Sequence, residues 1–312
     1  MVGQGSALCR SPPPAVQATE PAPGVLYLVG TPIGNLADLS PRAREVLAGV
    51  QRIACEDTRR SGLLLHQLGL RHKQLGPRLI SFHAHNQTAR IPELLAALAA
   101  GEALAVISDA GLPGISDPGE ALVAAARAAG HGVICVPGPS AVTTALVSSG
   151  LPSGRFCFEG FLPPKGNQRR LHLQELKDEP RTLVLFEAPH RLLDLLEDLL
   201  AVLGDRPLRV ARELTKRHEE QVGPTVMAAL EHFRHTPPQG ECTLVLGGAP
   251  PAEPLAWDAA ALSAELQALQ AAGHSSNGAA KLLAERTGHS KRELYALLHQ
   301  SPLRPGSVHQ GG

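Results

Sequence analysis

The stretch SDAGLPGISDPG, residues 108–119, sets two Ser-Asp pairs eight positions apart among three glycines and two prolines. Two carboxylates so close could share a proton or hold a cation, provided both face one ligand. Local signals separate them instead. Asp117 precedes Pro118, and Glu120 follows three positions later, the pattern of a helix N-cap, a first-turn proline and a capping-box acid. Asp109 comes straight off the apolar run LAVI, and the AGLPG that follows keeps side chains small enough for a ligand to approach the backbone. The expectation is that Asp109 ends a strand and faces a ligand, while Asp117 starts the next helix. A tight turn without a ligand would explain the glycines as well.

Two further stretches have the same character. VLYLVG (25–30) runs into TPIGN, and GHGVICVPG (130–138) runs into PSAV. Both place small residues or prolines at the carboxyl end of an apolar run, the edge at which open α/β sheets bind ligands. Neither matches the dinucleotide pattern G-x-G-x-x-G or the phosphate loop G-x-x-x-x-G-K-[ST]. Each alone reads as a turn; three at one sheet edge argue for a bound cofactor. Other motifs fail. HEEQV (218–222) lacks the second histidine of a zinc protease, HAH (83–85) has no companion ligands, and GPSAV lacks the G-x-S-x-G elbow of a hydrolase. No metal site is expected. Lys165, Arg169 and Arg170 in LPPKGNQRR, and Arg71, Lys73 and Arg78 in RHKQLGPR, are cations beside turns. They suit phosphate contact and a solvated face equally.

The elements that must carry these loops alternate. Apolar runs at 25–30, 52–58, 79–86, 103–111 and 130–138 read as strands, with helical segments between them such as SPRAREVLAGV, where Ser40 caps and Pro41 opens the helix. This alternation predicts a mostly parallel α/β sheet. A second α/β unit starts near RFCFEGFLP and contains RTLVLFEAPHR, RVARELTK and ECTLVLGG. The resulting domains are a disordered Pro/Ala-rich leader (1–24), an N-terminal α/β domain (25–150), a C-terminal α/β domain (151–248), a linker (249–257), a helical accessory domain (258–301) and a disordered tail (302–312). Within 258–301 the turn RTGHS between two helical pieces resembles a helix-turn-helix.

Composition bounds the partners. Lys+Arg and Asp+Glu both number 29, so nucleic acid would have to be met by local patches. Six Phe, two Tyr and one Trp argue against a broad base-stacking platform. Five scattered cysteines (Cys9, Cys55, Cys135, Cys157, Cys242) form neither a zinc site nor a disulfide framework, and no apolar run approaches the length of a membrane span. A cytoplasmic location is expected, with no membrane association.

In chain order, LYLVGTPIGNLADLSPRAREVL, CEDTRRSGLLL, SDAGLPGISDPG, PGPSAV, FEGFLPPK, FEAPHRLLDLLEDL and ARELTKRHEE resemble the ribosomal RNA small subunit methyltransferase I family. The resemblance spans roughly residues 25–248. It implies the tetrapyrrole-methylase superfamily fold: two α/β domains with the cofactor in the interdomain cleft, here followed by the small helical unit. It implies methyl transfer from S-adenosylmethionine to a cytidine 2′-hydroxyl in the decoding region of 16S rRNA, on the small ribosomal subunit, by a homodimer. Cofactor contacts are implied at Gly30, Thr31 and Pro32, at Asp109, Gly111 and Leu112, at Ser140 and Ala141, and at Ala188, with weaker expectations around ARELTK and ECTLVLGG. VGTPIGN is less glycine-rich than the first loop of many superfamily members, which disfavours a porphyrin substrate.

A ribose hydroxyl is a poor nucleophile, so a base that takes its proton would help. Candidates are Glu56 and Asp57, Glu187 and His190, and Glu213 with Lys216; Arg59 and Arg191 would hold phosphate. A structural Arg–carboxylate pair is an equal reading of each. In the helical unit Lys281, Arg286, Lys291 and Arg292 are available to RNA, although the unit could instead dock on protein. Two other functions stay open: a porphyrinogen or precorrin C-methyltransferase, and a non-catalytic RNA-binding or assembly factor.

Overall fold

The structure, a computed structural model, describes residues 20–70, 76–251 and 257–299. Most of the leader, Arg71 and Lys73, the middle of the linker and the tail lie outside the described residues. The chain forms two compact units that meet between Ala249 and Pro250.

The first unit opens with alternating strands and helices: β1 (Val25–Val29), α1 (Pro41–Gly49), β2 (Arg52–Cys55), α2 (Thr58–Gln67), β3 (Arg78–Ser81), α3 (Gln87–Ala99), β4 (Leu104–Ile107), α4 (Glu120–Ala128), β5 (Gly132–Val136) and α5 (Ala141–Ser148). The strands form one fully parallel sheet in the order β3-β2-β4-β1-β5. Its strands are short apolar runs because both faces are covered. Successive side chains go to opposite faces. Tyr27, Val29, Ile53, Ala105 and Ile107 pack with Val46, Leu47 and Leu65 of α1 and α2. Leu26, Ala54, Leu104 and Val106 pack with Leu94, Leu98 and Leu122 of α3 and α4. As expected, Ser40 caps α1, its hydroxyl accepting from Ala43 N–H at 3.1 Å with Pro41 in the first turn.

The second half contains β6 (Phe156–Phe161), α6 (Gly166–Glu175), β7 (Thr182–Glu187), α7 (Leu192–Leu203), β8 (Leu208–Arg212), β9 (Glu220–Val222), α8 (Val226–His235) and β10 (Cys242–Leu246). Its sheet runs β6-β7-β10-β8-β9 and is mixed: β6 pairs parallel with β7, and the remaining pairs are antiparallel. One face, with Leu183, Leu185, Val210 and Leu244, packs on the leucines of α7. The other face contributes Val184, Ala211 and Val245 to a cluster with Ile33 and with Val142, Ala145 and Leu146 of α5. That cluster joins the two sheets into one unit. The second unit is a three-helix bundle of α9 (Ala259–Ala271), α10 (Ser276–Thr287) and α11 (Lys291–His299) around Leu262, Leu266, Leu283 and Leu294. Gly288, left-handed at φ 74°, ends α10 and starts the short turn into α11.

The loops that follow the neighbouring strands β1 and β5 are in backbone contact. A Cβ placed on Gly30 would lie 2.8 Å from the Cα of Gly138, and one on Gly138 would lie 2.9 Å from the Cα of Gly30. Both obstacles are main chain, so the ends of β1 and β5 can approach this closely only as glycines. Gly30→Ala is therefore expected to destabilise the chain by about 2 kcal/mol, as overpacking does. Thermal unfolding at neutral pH measures this, and an unchanged midpoint would mean that the two loops part freely.

Candidate functional site

A cavity of about 330 Å³ opens where the carboxyl edge of the parallel sheet meets the mixed sheet. Asp109, Ala110, Gly111 and Leu112, just after β4, line one side of it. Ser140, Ala141 and Val142 at the start of α5 line a second. Phe161, the run Phe186–Pro189 and the run Glu241–Thr243 come from the mixed sheet. Its volume lies within the range that holds a small-molecule cofactor.

The loop after β1 braces this cavity and lines it only through Ile33. Thr31 is fully buried; its N–H donates to Gly111 O at 2.9 Å, and Gly111 N–H returns a bond to Thr31 O at 3.1 Å. The Thr31 hydroxyl donates toward the carbonyls of Ser108 and Gly111. Of the implied contacts, Asp109, Gly111, Leu112, Ser140, Ala141 and Ala188 line the cavity, whereas Gly30, Thr31 and Pro32 do not. Ile33 is the residue of that loop that reaches it.

Asp109 is only partly satisfied by its neighbours. Its Oδ2 accepts from Arg60 Nη1 at 3.1 Å, but Arg60 is 73% exposed and this pair contributes little. Its Oδ1 is buried without a partner. A buried acceptor left unmade costs about 1–3 kcal/mol, and Asp109 borders the cavity with that cost unrelieved. No side chain caps α5, whose first turn lines the same space, and Gly111 holds a left-handed φ of 84°. Small residues, an unmet acceptor and an uncapped helix start fit a compact cofactor carrying both donor and acceptor groups.

Asp117 is not the helix cap its sequence context predicts. Helix α4 starts only at Glu120, Gly119 occupies the cap position, and no side chain caps the helix. Ser116 takes a left-handed φ of 61°, which breaks the capping geometry, and Asp117 joins Asp109 in lining the cavity. Burial pushes its carboxyl up to about 6, aided by the charges of Glu56 and Asp109 and opposed by a hydrogen bond with Ser108. The two Ser-Asp pairs therefore share one site after all.

Of the candidate bases, Glu56 and His190 are exposed, and the rest are paired. Asp57 caps α2 and accepts from Arg59 N–H at 2.8 Å and from the Arg59 guanidinium at 2.9 Å. These hydrogen bonds hold its carboxyl well below the usual carboxylate range. The Glu187 side chain is fully buried, 2.8 Å from Arg191, and also accepts from Ala188 N–H. Glu213 accepts from Lys216 Nζ at 2.9 Å. Burial raises the Glu213 carboxyl, but the bond and charge of Lys216 outweigh it and leave it below its ordinary value. Burial likewise opposes the charge on Lys216, which Glu213 and Glu241 nevertheless hold above its ordinary value. Burial also pushes the Cys242 thiol up to about 12, so this cavity residue is no nucleophile. Among the described residues no cluster of His, Cys, Asp and Glu is arranged to hold a metal ion.

The expected phosphate contacts divide. Arg169 is only 4% exposed, and its guanidinium is bonded to Asp198 at 2.6 and 2.7 Å, so it ties α6 to α7 instead of reaching out as a mobile cation. Arg191 is held by Glu187 and by the Leu162 carbonyl. Arg59 is exposed but folded onto Asp57, and Arg170 is half exposed while bonded to Asp198 and Asn167. Lys165, before α6, is exposed and carries no ion pair. Arg169 lies on the α6 face that packs inward beside Leu173, which its place in a basic run beside a turn does not reveal.

Sequence reasoning also missed an aromatic wall. Phe158 and Phe161 stack around Phe186, with ring centroids 5.0 and 5.5 Å away, and Phe161 is 57% exposed beside the cavity. Half of the six Phe in the chain gather here, which a whole-chain count hides. The FEGF and FEAP stretches both quote these phenylalanines, but only the parallel pairing of β6 with β7 brings them together.

Asp117 supplies the pH signature of this site. Because its folded-state proton affinity is raised, its contribution to stability is complete below about pH 4 and is lost as pH rises through about 6. Asp117→Asn abolishes that loss. The variant is expected to unfold like the parent at pH 4 and to gain about 1–2 kcal/mol at pH 8, a figure discounted for partial solvent access. Thermal melts across this range check it; a constant difference would show that Asp117 is not perturbed.

Comparison with known proteins places this geometry. Residues 25–231 match the model of the Tetrapyrrole (Corrin/Porphyrin) Methylases. A protein from Synechocystis named ribosomal RNA small subunit methyltransferase I is 49% identical over 88% of this chain and 97% of its own length. Its namesake from Escherichia coli O157:H7 is 45% identical over 89% of this chain and 96% of its own length. Another, from Thermotoga maritima, is 47% identical over 225 residues, 72% of this chain and 99% of its own length. Among solved structures, a Thermus thermophilus uroporphyrin-III-C-methyltransferase superposes with a TM-score of 0.51 at 24% identity, over 72% of this chain and 94% of that one. A diphthine synthase gives 0.54 at 14% identity, over 72% and 90%. Those two likenesses establish the fold. With the family match covering well over half of the chain and the relatives nearly half identical over most of it, the protein belongs to the tetrapyrrole methylase family, in its ribosomal RNA small subunit methyltransferase I branch.

Proposed function

We propose that this chain transfers the methyl group of S-adenosylmethionine to the 2′-hydroxyl of a cytidine in the decoding region of 16S rRNA, on the assembled small ribosomal subunit. It would act in the cytoplasm as a homodimer. The observation that carries the reading is the cavity bordered by Asp109, whose buried Oδ1 has no partner. The names of the relatives at 45–49% identity support rRNA as the acceptor.

S-adenosylmethionine, when bound, supplies an electrophilic methyl group on a sulfonium sulfur. Asp109 accepts from its hydroxyl or amino donors, while Gly111 and Ala110 let it lie against the main chain. The first turn of α5 offers N–H groups to a carboxylate. Val142, Ile33 and Phe186 exclude water, and the fixed walls align acceptor and donor, an effect that supplies several kcal/mol of a displacement barrier. The exposed ring of Phe161 offers a stacking surface to an unstacked base, and the exposed Lys165, four residues further along the chain, is free to meet a phosphate.

The three-helix unit extends the RNA surface. The Thermotoga relative is matched over 99% of its own length by 225 residues, a span as long as that from Val25 to Ala249, so it has room for the two-sheet unit alone. On α11, Arg292, Tyr295 and His299 recur at three- and four-residue spacing; all are exposed, and the two rings lie 4.7 Å apart. Glu293 folds back to accept from Ser290 N–H, and Arg286 is bonded to Glu265, which leaves Lys281, Lys291 and Arg292 as the unpaired cations.

Labelled S-adenosylmethionine is to be offered with small subunits from a methylation-deficient strain, with protein-free 16S rRNA, and with a porphyrinogen. Label is expected in subunit RNA at one alkali-resistant linkage, and a preference for porphyrinogen or for naked rRNA would refute the reading. Asp109→Ala is expected to weaken S-adenosylmethionine binding at least 100-fold while leaving the fold stable to within about 1 kcal/mol. Replacing both Lys291 and Arg292 with Ala is expected to weaken subunit binding and to lower the salt slope of log K by about two, with cofactor affinity unchanged. An unaltered slope removes α11 from the interface.

A further inference from the structure

We propose that Asp117 is the group that takes the proton from the acceptor hydroxyl. The inference rests on the methyl-transfer reading and adds the base that the reading leaves unnamed. Four carboxylates line the cavity: Asp109, Asp117, Glu187 and Glu241. Glu187 is sealed by Arg191 and by Ala188 N–H. Asp109 spends one oxygen on Arg60, and its other oxygen is buried. Glu241 is 77% exposed and lies 3.5 Å from Lys216. Asp117 alone combines a partly buried carboxyl with no cation bound to it.

Its position favours the acceptor side. Asp109 follows β4, among the loops of the parallel sheet. Asp117 lies eight residues further on, in a segment that leans across to the mixed sheet. A Cβ on Gly160 would come within 3.3 Å of Ser116 Oγ, so Ser116, the residue before Asp117, abuts the bulge of β6. The same strand continues into Phe161 and then into the loop bearing Lys165. The groups acting electrostatically on Asp117 are Glu56 after β2, Asp109 after β4 and Ser108, with Arg60 of α2 reaching only Asp109. Two acidic neighbours and burial raise its proton affinity into the range in which a base exchanges protons near neutral pH.

The balance is complete. The proton passes from the hydroxyl to an Asp117 oxygen and then to water, the hydroxyl oxygen gains the methyl group, and the donor leaves as a neutral thioether. The carboxylate is regenerated without a further reactant.

The test compares Asp117→Asn and Asp117→Glu with the parent. Single-turnover methylation of small subunits is followed between about pH 5 and pH 9, S-adenosylmethionine affinity is measured by calorimetry, and the carboxyl is titrated by carbon-13 NMR in the ligand-free protein. The expected result is a rate at least 100-fold lower in the Asn variant, with cofactor affinity within twofold of the parent. The acid limb of the parent profile should coincide with an NMR titration near pH 6 that the Asn variant lacks, and the Glu variant should recover part of the rate. A normal rate in the Asn variant overturns the proposal, and so does a parallel loss of cofactor affinity, which would make Asp117 an anchor. If the parent itself binds no S-adenosylmethionine or methylates no subunit, the underlying reading fails and not this assignment alone.

Discussion

Thr31 and Gly111 exchange backbone hydrogen bonds across the ends of β1 and β4, and the Thr31 hydroxyl reaches back toward Ser108 and Gly111. This crossed pairing converts two loops of a parallel sheet into one rigid rim. β1 and β4 are adjacent in the sheet although β2 and β3 intervene in the chain, so the rim lies where the strand order reverses. There the connections lead away to opposite faces and leave a crevice. The Gly30–Gly138 contact closes the rim on its other side. Asp109 can keep a buried oxygen unpartnered only because the peptide groups around it are already satisfied by this pairing. A loop free to relax would turn that oxygen toward water.

Much of this was readable from residues alone, for a definite reason. The strands of the parallel sheet are apolar on both faces and are bounded by turn residues, and the cap of α1 is encoded within four consecutive positions. Such signals are local. β9 was not foreseen, because a three-residue edge strand in HEEQV carries no period of its own and exists only by pairing with β8. Asp117 misled for a related reason. Its cap, proline and acid pattern is locally complete, yet the left-handed turn at Ser116 and the contact of that segment with Gly160 override it. Arg169 misled because a basic run beside a turn says nothing about which of its members a helix will turn inward.

The electrostatics follow a rule that the sequence does contain. Asp57 with Arg59, Glu187 with Arg191 and Glu213 with Lys216 are each separated by two to four positions. A carboxylate with a cation so near in the chain is readily paired whatever the remote structure does, and pairing removes it from proton transfer. Asp117 has acids and not cations for neighbours in space, and Pro118 and Gly119 follow it in the chain. The acids worth considering as bases were thus the ones without a nearby cation, a criterion that needs no coordinates.

The same locus is where the fold gives up stability. The non-glycine residues with left-handed backbone among those described are Ser116, Glu213 and Thr215, and all three lie where the parallel sheet's loops meet the mixed sheet. Gly34 shows how close that meeting is, since a Cβ on it would strike Thr215 and Lys216. Such conformations cost about 1–3 kcal/mol each and persist only where the surroundings over-determine them. The cluster around Ile33, Val142, Val184, Ala211 and Val245 provides that constraint by fastening α5 to the mixed sheet. Strain, an unmet acceptor at Asp109 and an elevated carboxyl at Asp117 therefore fall on one short arc of the structure. Of the strained positions Ser116 borders the cavity together with Asp109 and Asp117, so one strained residue, one unmet acceptor and one elevated carboxyl lie around a single space, a combination that preorganisation for a ligand would explain.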